Sequence, residues 1–442
     1  MSSPQHPQTR SLPGLPRTAW LQLAVVCVAE FVVWTGFGAI MPYLPIFLRE
    51  QAHSSMFMIG VIAAAFYLGT LLFSAPFGWL SDAIGRKPVI LGGVLLYAVA
   101  MFLFTRTADP WWFVLFRFME GIGTAAVAPA AMAFVADIST EQTRSRAYGI
   151  LTSAQFGGLI VGPALAPPIY SIFGGGRSGF YAIFYFGAIL TAVTAVLVVA
   201  LIREPATTQK RQAARRGRKA ERPPYRAILS PAIIAFLVVG FTAHFAMGGF
   251  EVVWSIWLNE LGASMTYIAF TWIAFSVPML LAFAGGMVAD RYSRFTLMFV
   301  GYAVSAVAWI LYGTTTNLTL FIIINVIEGL AIAFSYPPKQ AFLIQVSPPK
   351  WLGTVTGLEA SSMQLAGMIG TFLAPVLYGW ISGYVLAVGG VINLIGLGIA
   401  APILHREWSR ISRDGPVPST RELESREGAL PVVTAEPPSG RE

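Results

Sequence analysis

The chain has 442 residues, of which 56% are hydrophobic and only 11% charged. A soluble protein carries about 25% charged residues, so this composition excludes an ordinary water-soluble globule and makes the bilayer the solvent. The net charge of +8 raises a nucleic-acid partner as a possibility, which the distribution of the charges decides against below.

Residues 1–18 are polar and Pro-rich, and the apolar run behind them is longer than the core of a cleavable signal, so no signal peptide is expected. Crossing hydrocarbon takes about 20 apolar residues. Twelve such runs follow in chain order, at 20–42, 57–80, 88–106, 111–136, 146–170, 179–202, 228–257, 265–288, 295–314, 318–341, 354–378 and 380–404. They are long and continuous, as membrane helices are, unlike the short alternating segments of a β-barrel. The only cysteine, Cys27, sits in the first run; it excludes an intrachain disulfide and reads as a packing residue. The expected organisation is an all-α integral membrane protein. Its parts are an N-terminal segment (1–19), a six-helix bundle (20–202), a basic linker (203–227), a second six-helix bundle (228–404) and a disordered tail (405–442).

With twelve spans, the two ends of the chain and the even-to-odd loops share one side. That side holds 25 of the 29 Lys and Arg residues; the opposite loops hold Arg49, Arg106 and Arg177, and Arg117 lies inside a span. The positive-inside rule then places both ends in the cytoplasm of a cell whose plasma membrane the protein crosses. The basic charge is an orientation signal, so no nucleic acid is expected as a partner. The linker from Arg203 to Arg226 carries nine Lys or Arg and reads as a solvated segment near lipid headgroups. Asn317-Leu318-Thr319 forms a glycosylation sequon on the opposite side.

Charges inside spans are costly, about 2.5–3.5 kcal/mol each on insertion scales, so they face a cavity or one another. Glu30 lies mid-way along the first span. A carboxylate there without a counter-charge is unfavourable, and taking up a proton removes the cost, as a coupling site requires. Arg117 and Glu120 lie in the fourth span, with Glu120 about 14 Å deep; their i, i+3 spacing permits an ion pair. Glu30, Arg117 and Glu120 are the proton-coupling candidates, with Arg117 also a possible partner that neutralises Glu30. Candidates for a substrate cavity are Trp34, Tyr67, Gln155, His244, Glu251, Asn325, Glu328 and Gln364, with Glu251 alternatively near the outer surface. Glu359 and the aromatic residues Trp254, Trp257, Tyr267 and Trp272 are further polar or cavity-lining residues of the second half.

The chain also repeats itself at a spacing of 208 residues. GWLSDAIGRK returns so that Gly78, Asp82 and Arg86 fall on Gly286, Asp290 and Arg294. Glu120, Gly121 and Pro129 fall on Glu328, Gly329 and Pro337, and Gly162, Pro167 and Tyr170 on Gly370, Pro375 and Tyr378. A chain that repeats in halves around charged loops is expected to be a two-fold pseudosymmetric transporter. In the repeated loop, Gly78 permits close helix approach and Gly85 a tight turn. Asp82 can accept from a helix N-terminus or from an Arg on a neighbouring span. Gly78, Asp82, Gly85, Arg86, Lys87, Asp290 and Arg294 are thus candidates for a cytoplasmic gate.

These residues resemble the G-x-x-x-D-x-x-G-R-K signature of the major facilitator superfamily, and the resemblance covers all twelve spans. In the second copy Ser293 replaces Gly85 and Phe295 replaces Lys87. The stretch RFMEGIGTA resembles the fourth-span Arg motif, in which the Arg is associated with proton coupling; Glu120 stands where that motif has Gln. Gly158, Gly162, Pro163 and Pro167 resemble the fifth-span signature of drug/proton antiporters, with Ala166 and Pro167 in place of its trailing glycines. Glu30 resembles the first-span acid of many such antiporters. The resemblance implies twelve helices in two six-helix bundles. It further implies alternating access, a single chain as the working unit, and proton-coupled efflux of small lipophilic cationic or neutral compounds. A sugar or metabolite porter of the same fold, or a non-transporting membrane sensor, is the alternative. No cofactor is expected beyond protons as the coupling ion. There is no Walker loop, no Cys/His metal cluster and no G-x-S-x-G elbow, so ATP-driven transport, a metal site and an enzyme are not expected.

Overall fold

A long apolar run in hydrocarbon can satisfy its own backbone N–H and C=O groups only by hydrogen-bonding within itself, as a helix. The computed structural model describes residues 17–204, 228–289 and 292–414, and among these there is no strand. The first half comprises α1 (Arg17–Ile40), a short α2 (Leu44–Glu50), α3 (Met56–Ile84), α4 (Arg86–Leu103), α5 (Pro110–Ile138), α6 (Glu141–Ile172) and α7 (Gly176–Leu201). The second comprises α8 (Pro231–Glu260), α9 (Met265–Met279), α10 (Ala282–Ala289), α11 (Arg294–Thr314), α12 (Leu318–Val346), α13 (Leu352–Ile381) and α14 (Tyr384–Asp414). Among the described residues, eleven helices are long and apolar enough to cross a membrane, and the shorter apolar α9 with α10 supplies the twelfth crossing. Their outer faces are apolar and open, as at Trp79 (71% exposed) and Trp380 (85% exposed), which is how a protein solvated by lipid presents itself.

Four of the six helices entering from the face opposite the chain ends start on polar caps. Ser55, Asp109, Ser264 and Asn317 each accept a backbone N–H of the first turn. The side chain of the sequon residue Asn317 is therefore engaged with Leu320 N at 3.2 Å.

Four sequence expectations change. The eighth span is broken, with Leu280 and Leu281 forming a turn two residues after Pro278. The first apolar segment does not stop at residue 42: α1 ends at Ile40, the chain turns, and the buried α2 carries the segment on to Glu50. The tail does not begin at 405, since α14 runs to Asp414 with Trp408 against Phe342 at 5.3 Å and His405 against Phe295 at 5.3 Å. Lys339, counted above with the loop charges, lies inside α12, which continues to Val346, and is fully buried. Most of the N-terminal segment, most of the basic linker, residues 290–291 and residues 415–442 lie outside the described residues.

The repeat is visible as paired helix crossings. A Cβ on Gly121 of α5 would sit 2.1 Å from Phe66 O on α3, and one on its counterpart Gly329 of α12 would sit 2.3 Å from Phe275 O on α9. Likewise Gly162 of α6 would meet Thr35 O on α1 at 2.4 Å, and Gly370 of α13 would meet Phe245 O on α8 at 2.0 Å. Only glycine lets these backbones touch. Between halves, α3 packs on α13 and α9 on α6, two contacts related by the same pseudosymmetry.

These inter-half contacts are confined to one side. Near the far face a Cβ on Gly60 would lie 2.6 Å from Phe372 O, and Phe57 and Phe372 stack edge-on at 5.7 Å. Toward the chain ends the same two helices separate: nothing lies within 4 Å of a Cβ placed at Gly78 on α3 or at Gly353 and Gly357 on α13. The far face is shut and the face bearing the chain ends is open.

Candidate functional site

Where the halves part, two adjoining lobes of about 300 and about 320 Å³ open, sharing Trp34, Phe37, Met41, His244 and Met247 as a common wall. The first lobe is aromatic, walled by α1, α6, α8, α9, α11 and α12, and reaches Glu328. The second lies among α1, α3, α4, α5, α7, α8 and α13 and reaches Glu30, Tyr67, Glu251 and Gln364.

Glu30 is 4% exposed. Its Oε2 accepts from Trp34 Nε1 at 2.9 Å, one turn along α1, and from Gln155 Nε2 at 3.0 Å on α6. These donors are neutral, so Arg117 is not the partner of Glu30. Arg117 pairs instead with Glu120, Nη1 to Oε2 at 2.7 Å, as the i, i+3 spacing predicts, and its guanidinium lies 4.6 Å from the centre of the Phe66 ring. Both are buried on α5, and Arg117 lines a narrow cleft of about 30 Å³ on the far side of the lobes.

Glu251 is not at the outer surface. It is buried, and Tyr67 OH on α3 donates to its Oε2 at 2.6 Å across the two halves. Glu328 accepts from Ser305 Oγ at 2.8 Å and Tyr312 OH at 2.9 Å, both on α11. His244 lines both lobes with its Nδ1 3.0 Å from Gly240 O. Asn325 does not join the cavity wall. It is buried with its side chain donating to Phe321 O at 2.7 Å one turn back, because the face of α12 that carries it packs inside the second bundle. Of the further aromatics, Trp272 lines the first lobe. Trp254 is packed against Phe250, Tyr312 and Phe321, Trp257 lies against Gly383, and Tyr267 donates to Leu318 O.

In the fifth-span motif, Gly158 and Gly162 allow α6 to touch α1, where a Cβ would lie 2.6 Å from Phe31 O and 2.4 Å from Thr35 O. Pro163 lines the first lobe and Pro167 is buried. The motif thus sets the position of Glu30 relative to Gln155.

The repeated loop forms a charge cluster on the open face. Arg86 reaches Asp82 Oδ1 at 2.6 Å, Asp137 Oδ2 on α5 at 3.3 Å and Ser81 Oγ at 2.9 Å. The carboxylate at the N-terminus of α4 is not Asp82 but Glu204, which accepts from Arg86 N at 2.7 Å and Lys87 N at 3.0 Å. Gly85, at φ +110, makes that turn, and a Cβ there would lie 3.0 Å from Glu204 Cδ. Lys87 Nζ donates to Val199 O at 2.7 Å. Gly78 does not serve close helix approach in this state, since the halves are apart there. Arg294 opens α11, and Asp290 lies outside the described residues.

Sequence reasoning missed Asp137, Glu204, Ser305, Tyr312 and Lys339. Lys339 alone left a signal, a Lys inside an apolar run. It pairs with Glu359 Oε1 on α13 at 2.5 Å, both nearly sealed from solvent.

The family model of the Major Facilitator Superfamily matches residues 26–280 and 236–435. Over 384 residues the chain is 26% identical to Multidrug resistance protein 2 of Bacillus subtilis (strain 168), covering 84% of this chain and 92% of that protein. It is 27% identical over 353 residues to the class B Tetracycline resistance protein of Escherichia coli, covering 78% and 85%. The fold superposes on the inward-facing, occupied structure of a bacterial homologue of the human lysosomal transporter Spinster with a TM-score of 0.70 at 17% identity, covering 89% of this chain and 98% of that one. The match runs through both halves of an internally repeated twelve-crossing helical chain, and the protein belongs to the Major Facilitator Superfamily.

Proposed function

We propose that this transporter exports small lipophilic cationic or neutral compounds in exchange for protons, by alternating access. One observation carries the reading: three buried carboxyl groups, Glu30, Glu251 and Glu328, stand on the wall of a mainly aromatic and aliphatic cavity between the halves. Such a cavity solvates a lipophilic body, and a carboxylate in it neutralises either a cation or a proton, so the two compete. The names of the multidrug and tetracycline resistance relatives support the direction and the kind of compound.

In this reading the open face lies in the cytoplasm, in line with the concentration of Lys and Arg on that side. The membrane is the plasma membrane and a single chain is the working unit. Glu30 is the proton carrier, held by Trp34 and Gln155. The Arg117–Glu120 pair is the internal charge that responds when protonation changes the field around it. Each unit of pH gradient supplies about 1.4 kcal/mol and each charge about 2.3 kcal/mol per 100 mV. The Asp82–Arg86–Asp137 cluster, which here stays within the first half, is the gate that re-forms against the second half when the open face closes.

The test uses purified protein in liposomes with an internal pH dye, a panel of lipophilic cations and neutral drugs, and Glu30→Gln beside wild type. Substrate-evoked proton movement that the variant loses supports the scheme. Substrate flux without proton movement means a facilitator or another coupling ion. Proton-driven export that survives both Glu30→Gln and Glu120→Gln removes these two acids from the mechanism. Movement of hydrophilic metabolites alone means a porter, and no transport at all favours a sensor.

A further inference from the structure

The Lys339–Glu359 pair has no counterpart in the first half. At the 208-residue spacing, Lys339 falls on Ala131 and Glu359 on Leu151, both buried and apolar. The fold therefore packs this place without charge. Replacing a buried ion pair by apolar residues is often neutral or stabilising, so stability does not account for a lysine and a glutamate here.

Position suggests what does. Residues 328 and 339 are eleven apart on α12, which returns them to nearly the same face about 16 Å apart along the axis. Between them Ile332 and Tyr336 line the aromatic lobe. The Lys339 ammonium lies 6.0 Å from the centre of the Tyr336 ring, with Tyr302 and His244, two more wall residues, within electrostatic reach. Opposite, α8 presents Gly240, where a Cβ would already be in contact with Nζ at 3.9 Å, so a residue larger than alanine would crowd the ammonium. On α13, Gly357 and Ala360, close to Glu359, are exposed on the open side of the protein, so other helices do not pack over that part of the helix.

We propose that Lys339 is an anion-binding subsite at the open end of the aromatic lobe. It takes a carboxylate or similar oxyanion of an amphoteric substrate whose cationic end lies toward Glu328, and Glu359 is the resident counter-ion that the ligand displaces. This rests on the export reading and narrows its substrate class.

The experiment compares two probes, a biaryl amine carrying a carboxylic acid and the methyl ester of the same molecule, bound to the full chain in nanodiscs. Wild type binds both. Lys339→Gln weakens the acid by about tenfold or more, as losing a charge-assisted hydrogen bond does, and leaves the ester within about twofold. Glu359→Gln strengthens the acid, because the competing carboxylate is gone. The double variant Lys339→Met with Glu359→Leu, which copies the apolar chemistry of the first half, keeps the fold and the ester and loses the acid, and carries the test if Lys339→Gln does not fold. Parallel changes for acid and ester across the variants, or an acid unaffected by removing Lys339, overturn the proposal. A wild type that binds the ester alone ends this inference and leaves the export reading standing; one that binds neither probe ends both.

Discussion

Tyr67 on α3 and Glu251 on α8 meet at 2.6 Å and join the two halves through a single buried hydrogen bond at the wall of the cavity. A buried acceptor that loses its donor costs about 1–3 kcal/mol. Tyr67→Phe should therefore lower thermal stability in detergent, and adding Glu251→Leu should recover most of the loss. If the two single variants and the double variant are simply additive in a thermal-shift cycle, the bond contributes nothing.

A second link between halves closes the far face. Arg49 reaches Glu260 at 2.5 Å, Asn259 donates to Glu50 at 2.6 Å, and Tyr43 OH donates to Met265 O at 3.1 Å. Arg49 and Glu260 are each about one-third exposed, and such pairs contribute about 0–1 kcal/mol. Arg49→Ala should shift the open-to-closed population of the far face by no more than about fivefold, read as a spin-label distance distribution across residues 53 and 263. Charge reversal at both sites should restore the wild-type distribution. An undisturbed distribution in Arg49→Ala would mean that the helix crossings alone hold that face shut.

Breaking Arg117–Glu120 should cost more. Removing one partner of a buried ion pair is worth about 3–5 kcal/mol, whereas removing both is often near neutral. Glu120→Gln is expected to destabilise, and Arg117→Met with Glu120→Leu to regain stability while losing coupled transport. A stable double variant that still couples substrate to protons would show the pair to be a packing device.

The glycines differ in consequence. Gly162→Ala and Gly370→Ala each drive a Cβ to within 2.4 Å and 2.0 Å of a facing carbonyl oxygen, and overpacking of this kind costs about 1–3 kcal/mol. Gly78→Ala meets open space in this state and should leave the stability of this form unchanged. Equal melting temperatures for all three variants would contradict the helix crossings described above.

Much of this was legible without coordinates. Apolar run length and the bilayer thickness leave helices as the outcome, so the number of crossings follows from the sequence, and the repeat predicts paired crossings that appear at Gly121 with Gly329 and Gly162 with Gly370. The pairing of Arg117 with Glu120 is local, three residues on one helix, and spacing alone predicts it. Partners on other helices are different. Glu30 with Gln155, Glu251 with Tyr67, Arg86 with Asp137 and Lys339 with Glu359 join positions between 20 and 184 residues apart. Periodicity within one helix says nothing about which face meets which neighbour.

The sequence by itself determined the solvent, the helices, their repeat in halves and the short list of charges that must be hidden from lipid, because each follows from the cost of a polar group in hydrocarbon. Only the tertiary structure decided where those charges go. It turned Asn325 inward, brought Glu251 off the surface to a partner in the other half, and sealed Lys339 beside Glu359. It also left one face of the cavity open, since helix rotation and the angle between halves are set by contacts that no single segment contains.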